Sequence, residues 1–183
     1  DDLCIALIDY QKLVKSKDFY STRHKLKDPI KIYASRGQVG YVERNLIKSN
    51  RELINKIKLI TPFANNIGTD LSDDNLNSMV IEKDSIVTET YLVFDVKVFD
   101  SIDKAKHGQK YLKTKFVRCL ISLAKANQNG TRKTYRFVPL QDFTPNSDID
   151  WTKSIAEIDQ QLYKKYGLDE EEINFIESRI KPM

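Results

Sequence analysis

Ile86-Val87-Thr88-Glu89-Thr90-Tyr91-Leu92-Val93-Phe94 is the stretch whose reading decides the fold. β-Branched and aromatic residues dominate it, the composition of a strand packed into a sheet. The pattern predicts strand over 86–98, with a shorter strand at Val80-Ile81 before it. Ser101 then supplies an N-cap for a helix that begins near Ile102, with an interruption expected at Gly108. Strand passing to helix in this way points to an α+β class rather than a helical bundle. The expected architecture is a mixed or antiparallel sheet built from residues 30–100 and 134–138. One long helix, 109–126, packs on it, and a pair of helices closes the C-terminus.

Upstream, residues 30–42 read as a hairpin. Ile30 and Ile32, then Val39 and Tyr41, alternate in apolar character around Ser35-Arg36-Gly37-Gln38, and Gly37 can take the positive φ of a tight turn. Leu46 to Ile57 has the spacing of a short helix, with Leu53, Ile54 and Ile57 on one face. Thr61-Pro62-Phe63-Ala64-Asn65-Asn66-Ile67-Gly68-Thr69 reads as a loop from its Pro, Asn and Gly content. Residues 3–14 are apolar enough to be buried, but their periodicity fits strand or helix equally.

Downstream, Leu112, Phe116, Cys119, Leu120 and Leu123 recur at helical spacing, with Thr114, Arg118 and Lys125 on the opposite side. Asn127-Gln128-Asn129-Gly130 ends that helix, and Tyr135-Arg136-Phe137-Val138 reads as a strand stopped by Pro139. Ile155, Ile158, Leu162 and Tyr166 make a stripe that ends at Gly167, a fitting residue just past a helix end. Asp169 caps a further helix whose first turn, Glu170-Glu171-Glu172, suits the positive end of the helix dipole. Ile173, Ile176 and Ile180 form its buried edge.

Charge is the second strong signal. Residues 104–141 hold ten Lys and Arg and no acid, a net +10 in a chain whose total is +4. The remainder therefore sums to −6, and from Asp142 onward ten acids face five bases. A basic run interleaved with Tyr111, Phe116, Tyr135 and Phe137 suits a polyanion, because clustered cations neutralise phosphates and release condensed counterions. Its bland counterpart is a solvated basic helix face.

A length of 183 residues suits one domain with a helical appendage: residues 1–145, then a helical extension over 146–183. Cys4 and Cys119 are too few for a disulfide framework and fit a reduced, cytoplasmic setting. His24 and His107 have no neighbours in sequence that would complete a zinc site, and no apolar run approaches the ~20 residues of a membrane span. The chain opens on Asp1-Asp2-Leu3 without Met, so a longer parent polypeptide is expected.

Several segments carry a resemblance to a family. They are 61–69, Thr88-Glu89-Thr90-Tyr91, Tyr111-Leu112-Lys113-Thr114-Lys115-Phe116-Val117-Arg118 and Phe137-Val138-Pro139-Leu140-Gln141-Asp142-Phe143. The tail adds Leu162-Tyr163-Lys164-Lys165-Tyr166-Gly167-Leu168 and Phe175-Ile176-Glu177, ending Ile180-Lys181-Pro182-Met183. In this order, over roughly residues 30–183, the chain resembles the C-terminal portion of type II restriction–modification polypeptides with an adenine-specific DNA methyltransferase, some fused to a restriction endonuclease. The resemblance implies a target-recognition region that reads double-stranded DNA. Methyl transfer from S-adenosylmethionine, and any Mg²⁺-dependent cleavage, belong to an upstream catalytic domain of the same polypeptide. The chain has no Asn-Pro-Pro-aromatic motif and no Gly-rich loop after a strand, so no cofactor is expected in this portion.

Recognition needs groups that grip the backbone and groups that read base edges. Arg36 and Gln38 at the hairpin tip are the types that pair with guanine and adenine; Tyr41, Arg44, Asn65 and Asn66 join them as candidates. Lys113, Lys115 and Arg118 on the helix, with Arg132, Lys133 and Arg136 beyond it, are the expected phosphate contacts. Two other classes stay open. Asp84 with Asp95-Val96-Lys97 fits loosely the carboxylate and carboxylate-x-lysine set of Mg²⁺-dependent nucleases. The acidic tail would equally serve a subunit-interaction module.

Overall fold

Leu92 and Val93 are adjacent, face opposite ways and are both buried, and that pair organises the molecule. Leu92 and Phe94 pack with the helices, together with Leu59 from the neighbouring strand. Tyr91, Val93 and Ile60 pack instead against a second sheet. Alternate side chains of a strand point to opposite faces. A strand buried at every position, as Tyr91–Phe94 is, must therefore be covered on both sides. The molecule is three layers: a small sheet, a central sheet and a helical layer.

A computed structural model describes residues 4–6, 10–67, 75–125 and 129–182. The strands are β1 (Cys4–Ala6), β2 (Pro29–Tyr33), β3 (Val39–Glu43), β4 (Lys58–Pro62), β5 (Met79–Ile81), β6 (Ser85–Val87) and β7 (Tyr91–Phe94). The helices are α1 (Gln11–Val14), α2 (Ile102–Lys113), α3 (Lys115–Ala124), α4 (Ile155–Tyr166) and α5 (Glu170–Arg179). The central sheet has the order β1-β7-β4-β5 with antiparallel pairings, and the outer sheet has the order β3-β2-β6. In the outer sheet β2 pairs antiparallel with β3 and parallel with β6. The class is α+β, as the sequence predicts.

The single strand expected over 86–98 is two strands in two sheets. Val87 ends β6, and Tyr91 begins β7 after a turn in which the Tyr91 amide donates to the Thr88 carbonyl at 3.1 Å. The Thr88 and Thr90 hydroxyls bond at 2.7 Å and hold that turn. A β-rich composition reports burial and says nothing about which sheet a residue joins.

Other expectations change for similar local reasons. Leu46–Ile57 is not a helix but two 3₁₀ turns, Arg44–Leu46 and Arg51–Leu53, with Asn50 left-handed before the second at φ 50°. Thr61 and Pro62 belong to β4 rather than to a loop, and Gly68 and Thr69 lie outside the described residues. Tyr135–Val138 is not a strand: Arg132–Tyr135 is a 3₁₀ turn closed by a Thr131/Thr134 capping box, so the sheets gain nothing from it. Asn127 and Gln128 also fall outside the described residues, as do the side chains of residues 1–9.

The long helix passes straight through Gly108 and breaks instead at Thr114. Thr114 is extended (φ −62°, ψ 149°), and its Oγ1 accepts from the Val117 amide, capping α3. Asp159 reaches across from α4 and accepts from the Lys115 and Phe116 amides at 3.0 and 2.9 Å. Burial raises the pKa of that carboxyl, the cost of a charge that secures the start of α3. Thr114 and Arg118, expected on the outer side, are both buried.

The C-terminal helices follow the sequence reading closely. Gly167 ends α4 at φ 65°, and Asp169 caps α5 through a capping box with Glu172. Ile158, Leu162, Tyr163, Ile176 and Ile180 enter the same hydrophobic cluster as Leu59, Leu92 and Phe94.

Lys58 is fully buried at the start of β4 and donates to the Leu53 and Lys56 carbonyls at 2.7 and 2.6 Å. Desolvation lowers its pKa to about 8 from the usual 10.5. The folded state thus binds fewer protons than the unfolded chain between those values, so this group makes stability rise with pH from about 8 to 10.5 and forfeits that contribution below. Denaturant midpoints measured across that window should rise in the native chain and flatten in Lys58→Met. A Lys58→Met variant with the native slope would refute the assignment.

Candidate nucleic-acid interface

The β2–β3 hairpin is in tight register, Tyr33 opposite Val39 and Ile32 opposite Gly40. At its tip the Ala34 amide donates to the Gln38 carbonyl at 2.8 Å and the Gln38 amide to the Ser35 carbonyl at 3.2 Å. Closing so short a loop puts Arg36 at φ 58° and Gly37 at φ 72°. Positive φ on an arginine is an uncommon, mildly strained state that the hairpin must hold. The result is an exposed Arg36 and an exposed Gln38 on a hydrogen-bonded turn.

Arg36 also borders a groove of about 740 Å³ between the hairpin tip and the central sheet, with Phe63, Ala64, Glu89, Thr90 and Tyr91 on its walls. Ala64 forms an isolated bridge with Asn129, and the Gly130 amide donates to the Phe63 carbonyl at 2.5 Å. That contact ties the groove wall to the segment that leads into Arg132, Lys133 and Arg136, all three exposed. The Arg136 guanidinium lies 4.5 Å over the Phe137 ring, a cation–π pair on an exposed aromatic. The hairpin tip, the groove and the basic turn form a connected set.

Other candidates turn inward. Arg44 clamps Asp28 through Nε at 3.0 Å and Asp84 through Nη2 at 2.8 Å, pinning the hairpin base to the turn before β6. Those carboxylates raise its pKa further. Tyr41 is half-buried in a backbone bridge with Tyr20. Asn65 is buried, accepting from Lys125 Nζ at 2.7 Å through Oδ1. Its Nδ2 is buried without a hydrogen-bond partner among the described residues. Asn66 is half-buried in the same loop.

The basic run loses much of its outward charge in the same way. Lys110 donates to the carbonyls of Trp151 and Lys153, both at 2.9 Å. Lys125 holds the Asn65 and Ile67 carbonyls at 2.6 and 2.9 Å. Lys115 pairs with Glu177 at 2.5 Å and Lys104 with Asp100 at 2.9 Å. Arg118 is 1% exposed and donates to the Lys113 carbonyl across the helix break and to the Lys181 carbonyl at 2.6 Å. In this structure Lys115 and Arg118 brace α3 and the C-terminus. Lys113 remains half-buried, and Lys106 remains exposed.

The nuclease-like residues are also engaged. Asp84 is in the Arg44 clamp, and Asp95 Oδ1 accepts from the Lys97 amide at 2.8 Å in a local turn. The groove walls Phe63, Thr90 and Tyr91 were not singled out in the sequence, although they lie inside the segments that carry the family resemblance. Their closeness to Arg36 depends on the sheet-to-sheet turn, which no local pattern announces. No helix among the described residues is long and apolar enough to cross a membrane. Comparison with family models, curated proteins and solved structures returned no match.

Proposed function

We propose that this chain is the DNA-reading part of an adenine-specific methyltransferase of a restriction–modification system. Arg36 and Gln38 address base edges of a duplex, while Arg132, Lys133 and Arg136 grip its backbone. The observation that carries the reading is the connected set: a hydrogen-bonded hairpin tip presenting Arg36 and Gln38, joined through the groove wall to three exposed basic side chains. Phosphate contacts position a protein and base contacts specify its site, so this division of labour is what a recognition surface needs. In this reading S-adenosylmethionine, and Mg²⁺ where the parent also cleaves, belong to the upstream catalytic domain, and the polypeptide works in the cytoplasm.

The test is fluorescence anisotropy on duplexes selected from a randomised pool, at several salt concentrations. Affinity should fall steeply with salt, and alanine at Arg132, Lys133 or Arg136 should each reduce the log–log salt slope by about one while weakening all sequences alike. Arg36→Ala or Gln38→Ala should instead relax site choice, at about 1–3 kcal/mol of lost discrimination. Salt-insensitive or absent binding would end the DNA reading. Identical behaviour of the two groups would end the base-reading assignment.

A further inference from the structure

α3 and α5 pack side by side but leave a second groove, of about 440 Å³. Its floor is Phe116, Cys119 and Ile176, and its rims carry Leu120, Leu123 and Phe175. Leu123 is 65% exposed, Phe175 49% and Tyr166, stacked on Phe116, 40%. Large apolar side chains scattered singly over a surface need no explanation, but Leu123 and Phe175 line one and the same cleft. Glu171 and Glu172 stand on the α5 rim, in the acidic first turn with Glu170. Among the described residues that line the groove there is no Lys or Arg.

An apolar cleft with an acid rim has a definite complement. We infer that the α3–α5 groove docks an amphipathic helix of another protein, whose apolar face fills the cleft between Leu123 and Phe175 and whose Lys or Arg side chains meet Glu171 and Glu172. Helix-in-groove binding has this arrangement: a few apolar anchors supply affinity, and flanking charges set orientation and select partners. A second copy of the chain is a poor occupant. Two such grooves placed face to face about a two-fold axis would oppose acid with acid, since an isologous contact presents the same patch on both sides. The site is independent of the DNA reading and uses none of its residues.

The probe is a short Leu/Lys amphipathic peptide helix, compared with a Leu/Glu peptide of the same pattern, titrated by calorimetry into the whole chain. The Leu/Lys peptide should bind one to one, about tenfold or more tighter than its acidic counterpart. Leu123→Ser and Phe175→Ser should each cost about tenfold. Both side chains are exposed, so the fold does not depend on them, and unchanged thermal melts will verify that. Glu171→Lys should erase the preference between the two peptides while leaving apolar binding in place. Equal binding of both peptides, or binding indifferent to Leu123 and Phe175, would overturn the proposal. So would self-association of the free chain that Leu123→Ser abolishes, because the groove would then belong to a second copy.

Discussion

Arg118→Ala is expected to lower the stability of the fold by about 3–5 kcal/mol, the usual cost of removing one member of a buried charged network. The guanidinium is 1% exposed and donates to the carbonyls of Lys113 at the α2–α3 break and of Lys181 near the C-terminus. It also favours the ionised form of Asp159, which secures the start of α3. Truncation leaves the Lys113 and Lys181 carbonyls without this donor and the buried Asp159 carboxylate without this nearby cation. Arg118→Lys should recover little, since one ammonium cannot reproduce the fork that reaches both carbonyls. Urea denaturation gives the measurement. A folded Arg118→Ala of native stability that had lost affinity for DNA would restore Arg118 to the phosphate contacts and contradict the buried assignment.

The second large effect is expected at Gly108. A Cβ placed there would lie 2.2 Å from Phe99 Cε1 and 3.0 Å from Leu59 Cδ2. Phe99 has no room to retreat: it is 1% exposed and packs edge-on to Phe94 and against Phe143. Glycine in a helix interior normally costs ~1 kcal/mol relative to alanine. Here it is the condition for α2 to lie close on β4. Gly108→Val should destabilise by about 3 kcal/mol, at the upper end of overpacking penalties because the obstacle is a locked ring. Thermal melts will show it as a lower midpoint, and a variant as stable as the native chain would mean that α2 can shift outward.

Local chemistry was legible in the sequence wherever a single turn or helix end decides the outcome. Gly167, Asp169, Ser101 and the 30–42 hairpin behave as their residue types require. What failed depends on contacts distant in sequence. The run 86–98 is rich in β-branched and aromatic residues whether it stays in one sheet or crosses between two. Gly108 looked like a breaker because its helix-weakening propensity is visible and the ring of Phe99 is not. The basic run is ambiguous for a related reason. A lysine that caps carbonyls, as Lys110 does, has the same letter as one that awaits a phosphate, and burial alone separates them. The candidate site divides the same way: Arg36 and Gln38 were readable from the turn, whereas the groove beside them exists only because two sheets meet.

The central sheet has one further consequence, for how the molecule comes apart. Its strands β4 and β7 have no watered side: Leu59, Leu92 and Phe94 serve the helices while Ile60, Tyr91 and Val93 serve the outer sheet. A fluctuation that detaches either flanking layer uncovers apolar surface on the same strands that the other layer needs. Partial opening is therefore penalised from both directions, and the layers form a single cooperative unit rather than two foldons. Slow amide exchange should accordingly concentrate at Ile60 and Val93, directly paired across β4 and β7, and report the global unfolding free energy instead of a local one.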